Sequence, residues 1–291
     1  MKKEIITGLL VVTMCLSSVA CSGNKGGSSS GNGNSIGNSG SNSGDGREED
    51  SKVNKDYFDM YNSGSDIVIS ELSDKGKKQE NLVIPAGVIK ITGTFIDGVV
   101  KNISFESDED IDIGMAVSTC STLETIKLPA NMTELDSMAF SCCTNLKEIV
   151  VPKGITVIPD LCFYANSSLE TVTLEGNVTE ICSMAFYECG SLKTINLPDS
   201  ITDIGESAFF GCESLSTITL PKGLKNIGDA AFITKSGIKT IIVPAELELE
   251  TWDSGGFIQS DAKYTVKVTE GSWADIHFDE VFQGQVTKEY V

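Results

Sequence analysis

Residues 192–214 read LKTINLPDSITDIGESAFFGCES, and the segments on both sides repeat this pattern every 23 residues. The period is kept by columns of phenylalanine (Phe140, Phe163, Phe186, Phe209, Phe232), proline (Pro129, Pro152, Pro198, Pro221, Pro244, with Glu175 in the missing place), leucine (Leu123, Leu146, Leu169, Leu192, Leu215, Ile238) and isoleucine or valine (Ile126, Ile149, Val172, Ile195, Ile218, Ile241). Such a repeat indicates a solenoid, in which each coil buries its apolar edge against its neighbours.

One coil illustrates the expected local structure. Ile195 and Leu197 alternate with polar residues, which is typical of a short strand with one inward face. Pro198 ends that strand because it has no N–H to donate to a ladder. A second apolar pair follows at Ile201 and Ile204, and Phe209 returns the chain to the core. Because stacked strands lie about 4.8 Å apart, the phenylalanine column should form a continuous internal aromatic row.

The period extends upstream and then ends on both sides. Val100, Ile103 and Phe105 lie 23 residues before the matching positions of the next coil, and the strand at 82–85 precedes them. We predict about eight coils over residues 82–244, an N-terminal cap over 52–81 with a strand at Ile67–Ile69, and a C-terminal cap over 245–291. In the second cap Tyr264–Val268 should form a strand, and the expected core covers are Trp273, Ile276 and Phe282.

The repeat unit, Leu-x-x-Ile-x-Leu-Pro, then Ile-Thr-x-Ile, Ala-Phe and Cys-x-x-Leu, resembles the BspA-like class of leucine-rich repeats over residues 82–244. The resemblance implies a right-handed, β-rich superhelix with a parallel sheet on its concave face. It also implies a surface or secreted protein, because members of that class are largely surface or secreted proteins of anaerobic bacteria and some protists. Several of them are adhesins for host or matrix proteins. Most members have no assigned ligand.

The cysteines follow the same period. Cys120, Cys143, Cys189 and Cys212 share a column in which Asn166 fills the missing place, and the resemblance implies that this column satisfies backbone groups inside the turn. Neighbouring coils would bring Cys120 near Cys143, and Cys189 near Cys212, at disulfide distance. The alternative is buried free thiols that pack as small apolar residues, as we expect for Cys162. No Cys-x-x-Cys pair is present to indicate a zinc site.

Composition excludes several classes of function. The 291 residues contain 22 Lys and Arg against 41 Asp and Glu, a net charge of −19, which argues against nucleic acid and against direct docking on an anionic membrane. His277 is the single histidine and has no evident nucleophilic partner, so we expect a protein that is not an enzyme and that carries no cofactor. Asp108, Asp110 and Asp112 are spaced like the first ligands of a calcium-binding loop. Thr119, however, occupies the position that requires a bidentate glutamate. The sequence therefore favours a solvated acidic turn over a weak calcium contact.

The N-terminal residues have the features of a lipoprotein leader. Two lysines and an apolar run over residues 5–16 precede Ser18-Val19-Ala20-Cys21, which resembles a bacterial lipobox in which Cys21 is lipidated. The alternative is ordinary cleavage of a signal peptide over residues 1–21, which would release a free secreted protein. Residues 22–51 are rich in Gly, Ser and Asn and should form a disordered tether. We therefore predict a lipid-anchored protein outside the bacterial cell.

The outward strand positions are the remaining candidates for function. Two columns of them face solvent in the predicted concave sheet. The candidate partner-binding residues in these columns are Thr125, Lys127, Glu148, Thr171, Thr173, Thr194, Asn196, Thr217, Thr219 and Thr240; Val150 and Ile242 belong to the same columns. A third column, Glu124, Lys147, Glu170 and Lys193, alternates in sign and should form ion pairs between coils. We predict a monomeric module that binds a protein or glycan; the alternative is a structural spacer without a ligand, since threonine also suits exposed strands by propensity alone.

Overall fold

Parallel strands that recur with the period of the sequence form the body of the computed structural model. It describes residues 55–96, 98–233, 237–252, 263–282 and 285–291, all within one compact unit, Glu49–Val291. The predicted leader, Cys21 and the tether lie outside the described residues.

The described chain begins with a hairpin at the end of the solenoid. After a 3₁₀ turn at Lys55–Tyr57, strand β1 (Phe58–Ser63) pairs antiparallel with β2 (Asp66–Leu72), and Gly64 in the connecting turn has a φ of 68°. Strand β2 contains the strand predicted at Ile67–Ile69. A second 3₁₀ turn (Gly76–Lys78) and β3 (Asn81–Ile84) precede β4 (Val88–Ile91), which pairs in parallel with β2 and links the hairpin to the first coil.

Two rows of strands then run along the solenoid. The first row, here called the main sheet, contains β3, β5 (Asn102–Phe105), β6 (Thr125–Ile126), β7 (Glu148–Val151), β9 (Thr171–Leu174), β11 (Thr194–Ile195), β13 (Thr217–Thr219), β15 (Thr240–Ile242), β17 (Tyr264–Val268) and β18 (Val286–Tyr290). The second row, the second sheet, contains β8 (Val157–Ile158), β10 (Glu180–Ile181), β12 (Asp203–Ile204), β14 (Asn226–Ile227) and β16 (Thr251–Trp252). All pairings in both rows are parallel, which confirms the predicted β-solenoid.

The pairing register follows the sequence period, but the main sheet is interrupted twice. Thr171 pairs with Thr194, and Thr217 pairs with Thr240, each 23 residues apart. The hydrogen-bonded groups are β3-β5-β6, β7-β9-β11 and β13-β15-β17-β18, so no ladder joins β6 to β7 or β11 to β13. The columns therefore determine which residues are neighbours, although the strands separate at two places.

A third set of bonds joins the coils at the turn that carries the phenylalanines. The N–H groups of Met138, Phe140 and Cys142 donate to the carbonyl oxygens of Asp160, Cys162 and Tyr164, at 3.1, 2.9 and 2.7 Å. Met138 and Cys142 have left-handed backbones, as do most of their equivalents in other coils: Leu161, Met184, Ser207 and Ala230 in one column, and Thr119, Ala165, Glu188 and Gly211 in the other. This conformation, uncommon outside glycine, aims alternate N–H groups at the next coil.

The predicted aromatic row is confirmed in the core. Phe140, Phe163, Phe186, Phe209 and Phe232 are fully buried, and successive ring centroids lie 5.2–5.3 Å apart with nearly parallel planes. A second aromatic row, which was not predicted, lies one residue later, and in it Tyr187 stacks between Tyr164 and Phe210 at 5.3 and 4.7 Å. This outer row is partly open to solvent, so the inner row contributes most of the aromatic burial.

The C-terminal residues continue the main sheet instead of only covering it. Thr240 pairs with Thr265, and Thr265 pairs with Thr287, so β17 and β18 extend the row in parallel. Between them lie two short helices, α1 (Trp273–Ile276) and α2 (Phe278–Val281). Phe282 is buried and Trp273 packs against the core, as predicted.

Ile276 is a correction to the predicted cover of the core. Its side chain is 70% exposed, because Ala274 and Phe278 occupy the inward positions of these short helices. The C-terminal strand is held by Lys288, whose ammonium group donates to Asp275 at 2.9 Å and lies 4.3 Å from the ring centre of Phe278. Polar and cation–π contacts therefore fasten the end of the chain where Ile276 was expected to pack.

Candidate functional site

The outward columns of the main sheet lie where the sequence predicts them. Ten of the twelve positions in the two columns are exposed, namely Thr125, Lys127, Glu148, Val150, Thr171, Thr173, Thr194, Asn196, Thr217 and Thr219. Thr240 and Ile242, in the last regular coil, are half-buried. The main sheet thus presents short, mostly polar side chains along its length.

The same columns continue upstream through residues that the sequence analysis did not propose. Asn81 and Asn102 precede Thr125 in register, and their side chains form a chain of hydrogen bonds. The Nδ2 of Asn102 donates to the Oδ1 of Asn81 at 2.7 Å, and the Oγ1 of Thr125 donates to the Oδ1 of Asn102 at 2.6 Å. The period by itself indicates both residues, because the strands at 82–85 and 102–105 belong to the repeat.

A cavity of about 780 Å³ lies over this upstream end of the main sheet, within the range of about 300–1,000 Å³ typical of ligand pockets. It spans strands β3, β5, β6 and β7, and therefore crosses the interruption between β6 and β7. The outward side chains that line it are Asn81, Val83, Asn102, Ser104, Thr125, Lys127, Glu148 and Val150, and Asp108 and Glu175 lie at its margin. Of the ten candidate residues, the cavity includes Thr125, Lys127 and Glu148 and leaves out the threonine columns farther along.

The charges around the cavity are not neutralised by one another. Lys127 and Glu148 are exposed on either side of the interruption, and neither forms an ion pair within 4.0 Å among the described residues. Val150, two positions beyond Glu148 on the same strand, is 47% exposed in a column whose other members from Ser104 to Thr219 are polar. The cavity therefore combines an apolar floor with ionic groups that remain available to a ligand.

The predicted alternation of ion pairs is confirmed for one of the three neighbouring pairs and is wrong for the other two, since Lys147 lies more than 4.0 Å from Glu170 as well as from Glu124 in the described residues. The Nζ of Lys193 lies 2.6 Å from a carboxylate oxygen of Glu170, and this contact lowers the pKa of Glu170. Glu124 and Lys147 are not within 4.0 Å of each other in the described part of the chain, because the main sheet is interrupted between their coils. They line instead a smaller hollow of about 310 Å³ beside the larger cavity.

The acidic turn uses its carboxylates within the protein. Asp110 accepts from the N–H and Oγ1 of Thr133 at 3.0 and 2.7 Å, and Asp108 accepts from the N–H of Ala130 at 3.3 Å. Asp112 accepts from Lys90 at 2.6 Å. The carboxylates thus bind the next coil or a lysine, and no cluster of three or more metal-ligating side chains occurs in the described ranges.

His277 lies on the C-terminal cap, as expected. Its Nδ1 is 2.9 Å from the carbonyl oxygen of Trp273, and its ring stacks on that indole at 4.6 Å. The imidazole therefore has a packing role at the junction of α1 and α2. None of the helices in the described ranges is long and apolar enough to cross a membrane.

The cysteine column bonds to the backbone of the preceding coil. The thiols of Cys143, Cys189 and Cys212 donate to the carbonyl oxygens of Val117, Phe163 and Phe186 at 3.0, 3.1 and 3.3 Å. Asn166 does the same through Nδ2, which donates to Phe140 at 2.9 Å. All seven cysteines in the described residues are free thiols, which confirms the alternative to disulfides, and Cys162 is buried as predicted.

Among the seven cysteines of the described residues, Cys142 is expected to be alkylated first by iodoacetamide at about pH 8, because it is half-buried whereas five of the others are buried, and because a thiol reacts as its thiolate. Burial raises the pKa of Cys189 to about 12, so this thiol stays protonated at that pH. Cys182 is a matched control because it is half-buried like Cys142, while burial and the charge of Glu180 raise its pKa to about 12. Peptide mass spectrometry over time gives the order, and equal rates for Cys142 and Cys182 would contradict this explanation.

Comparison with known proteins identifies the repeat. A family model described as BspA type leucine-rich repeat region, in six copies, matches residues 69–189 and 156–272, more than half of the chain. A leucine-rich repeat protein of T. pallidum is 20% identical with a TM-score of 0.40, over 75% of this chain and 85% of its own. A leucine-rich repeat protein of Bacteroides ovatus is 17% identical with a TM-score of 0.28, over 81% of this chain and 98% of its own. The pneumococcal vaccine antigen PcpA is 16% identical with a TM-score of 0.39, over 76% of this chain and 71% of its own. The search of curated proteins found no match.

Proposed function

The chain belongs to the BspA-type leucine-rich repeat family, and from that premise we propose that it is a non-enzymatic recognition protein whose main sheet binds a protein or a glycan. One observation carries the proposal: the outward side chains of the main sheet are exposed along successive parallel strands and surround a cavity at one end. An extended solenoid face of this kind suits a broad contact with a macromolecule.

The chemistry of the described residues supports recognition more than catalysis. The side chain of His277 is engaged by Trp273, and the thiols of Cys143, Cys189 and Cys212 are buried in contact with backbone carbonyls. Those groups are the ones a nucleophilic mechanism would need exposed and adjacent. The main sheet offers hydroxyl, amide and charged groups instead, which suit hydrogen bonding to a partner.

A triple substitution tests the main sheet once a partner has been found by pull-down from host and matrix proteins. Replacing Thr171, Thr194 and Thr217 together with lysine should weaken binding at least about tenfold, because three long cations then cover adjoining strands of the proposed surface. The three positions are exposed, so the core is unchanged. Affinity is measured by surface plasmon resonance, and circular dichroism checks the fold.

The control places the same charges on another face of the same coils. Thr156, Thr179 and Thr202 lie beside the second sheet, at the same period, and changing them to lysine adds the same charge. Partner binding should survive that change. Unaltered affinity in the Thr171, Thr194 and Thr217 variant, with the fold intact, would contradict a binding site on the main sheet and would favour the caps, the turns or a spacer role.

We also propose that Cys21 is the lipid anchor that holds this module at the bacterial surface. The support comes from residues 1–21 alone, whose charged start, apolar run and small residues before Cys21 resemble a lipoprotein leader. Stable anchoring needs more than one acyl chain, which lipidation at such a cysteine supplies. The segment over residues 22–51 would then act as a spacer between the membrane and the solenoid.

Replacing Cys21 with serine should move the protein from the membrane fraction to the culture medium, because the residue that would carry the acyl chains is lost. Immunoblots of the two fractions measure the change. Cys15→Ser is the matched control, since Cys15 lies inside the apolar run and should not affect anchoring. A Cys21→Ser protein that stays with the membrane would show that another feature retains it.

A further inference from the structure

Because the coils repeat the same structure, a residue that differs from its equivalents in the other coils can be recognised. Two such residues line the same cavity. Glu148 interrupts a column that is otherwise threonine from Thr125 to Thr240, and Glu175 replaces proline in its column. Each coil has the same structural requirements, so the solenoid itself does not call for either glutamate. Both glutamates line or border the cavity over the upstream end of the main sheet.

The two glutamates lie at opposite ends of one pair of strands. Glu148 begins β7 and pairs with Thr171, whereas Glu175 follows the last residue of β9. Four strand positions therefore separate them along the sheet, which corresponds to about 13 Å. Val150 lies midway, two positions beyond Glu148, and its side chain is 47% exposed. The order along the sheet is acidic, apolar, acidic.

The charges define what this arrangement can hold. Among the described residues, neither Glu148 nor Glu175 has an ion-pair partner within 4.0 Å, and Asp108 adds a third carboxylate at the margin. Lys127 lies beside Val150 across the interruption and disfavours a cation at the centre of the cavity. No aromatic side chain is among the residues that line the cavity, so it offers no flat apolar face against which a sugar ring could stack.

Resting on the proposed function, we propose that this cavity binds an extended segment of a partner polypeptide with basic residues four positions apart and an apolar residue between them. In an extended chain, residues i, i+2 and i+4 point to the same side and span about 13 Å. The two basic side chains then reach Glu148 and Glu175 while the central residue covers Val150. The negative charge of the whole protein attracts such a segment.

Fluorescence anisotropy with the full-length protein and a labelled peptide, Gly-Lys-Thr-Val-Thr-Lys-Gly, tests the proposal. Replacing both Glu148 and Glu175 with glutamine should weaken binding about tenfold, the amount expected for two exposed ion pairs. A peptide that carries its lysines three positions apart places them on opposite sides and should also bind about tenfold more weakly. Raising the salt concentration should weaken binding to the unaltered protein.

The matched control is Glu246→Gln with Glu248→Gln, which removes the same charge from exposed positions beyond the regular coils and should leave peptide affinity unchanged. The proposal is overturned if the peptide does not bind, if both glutamine variants bind it equally, or if the spacing of the lysines has no effect. It is also overturned if a neutral oligosaccharide binds in place of the peptide and is lost in the Glu148 and Glu175 variant. The peptide assay is independent of the threonine-to-lysine test. A negative result in the peptide assay would contradict the peptide site in the cavity without contradicting a binding surface elsewhere on the main sheet.

Discussion

Replacing Phe186 with alanine is expected to lower the free energy of unfolding by about 3–5 kcal/mol. The ring is fully buried, and its centroid lies 5.2 Å from those of both Phe163 and Phe209. Removal leaves a cavity between two rings that the backbone ladders hold in place, so the coils cannot easily close around it. Equilibrium unfolding in urea, followed by circular dichroism, measures the loss.

Phe210→Ala is the matched control for Phe186→Ala. It removes the same atoms from the outer aromatic row of the next coil, but Phe210 is half-exposed and stacks on one described ring, that of Tyr187, at 4.7 Å. Its loss should lower the free energy of unfolding by about 1 kcal/mol, the usual contribution of an aromatic pair. Equal losses for the two variants would contradict the assignment of Phe186 to the inner row.

Replacing Gly93 with alanine should lower the free energy of unfolding by about 3 kcal/mol, at the upper end for overpacking. A methyl group on Gly93 overlaps the carbonyl oxygen of Ser70 and lies 2.7 Å from its carbonyl carbon. These are backbone atoms of β2, next to the bond from the N–H of Thr92 to the carbonyl of Ile69. The hairpin must therefore move away from the first coil, which hydrogen exchange at Thr92 would detect.

Gly190→Ala is the control for Gly93→Ala, because the nearest atom to a methyl group on Gly190, the carbonyl oxygen of Gly211, is 4.0 Å away. Neither Gly93 nor Gly190 requires a left-handed backbone, so the comparison isolates the close approach of two chain segments. The Gly190 variant should unfold within about 0.5 kcal/mol of the parent protein. A Gly93 variant as stable as the Gly190 variant would show that the hairpin packs differently.

The candidate surface could be predicted in part from the sequence. Alternation along the strands placed Thr171, Thr194 and Thr217 on the outward face, where the structure has them, because a strand must point successive residues to opposite sides. The cavity could not be predicted this way. It lies where the ladder between β6 and β7 is absent, and the separation of two strands depends on how all coils pack, which no single repeat encodes.

Periodicity alone determined the solenoid, its register and its core. A period of 23 residues makes Phe163 and Phe186 neighbours whatever the details of each turn, because coils of equal length stack the same positions on one another. The same argument identified the cysteine column and its relation to Asn166. The period could not distinguish disulfides from free thiols in that column, because neighbouring coils bring the cysteines close enough for either.

Only the tertiary structure decided between those possibilities and shaped the turns and ends. The thiols of Cys189 and Cys212 are free because each faces a backbone carbonyl of the preceding coil. Leu161 and Met184 have left-handed backbones without being glycine, since inter-coil hydrogen bonds at each turn offset the strain of that conformation. At the C-terminal end the period is lost, yet β17 and β18 continue the main sheet, because an open sheet edge gains hydrogen bonds from any strand that can reach it.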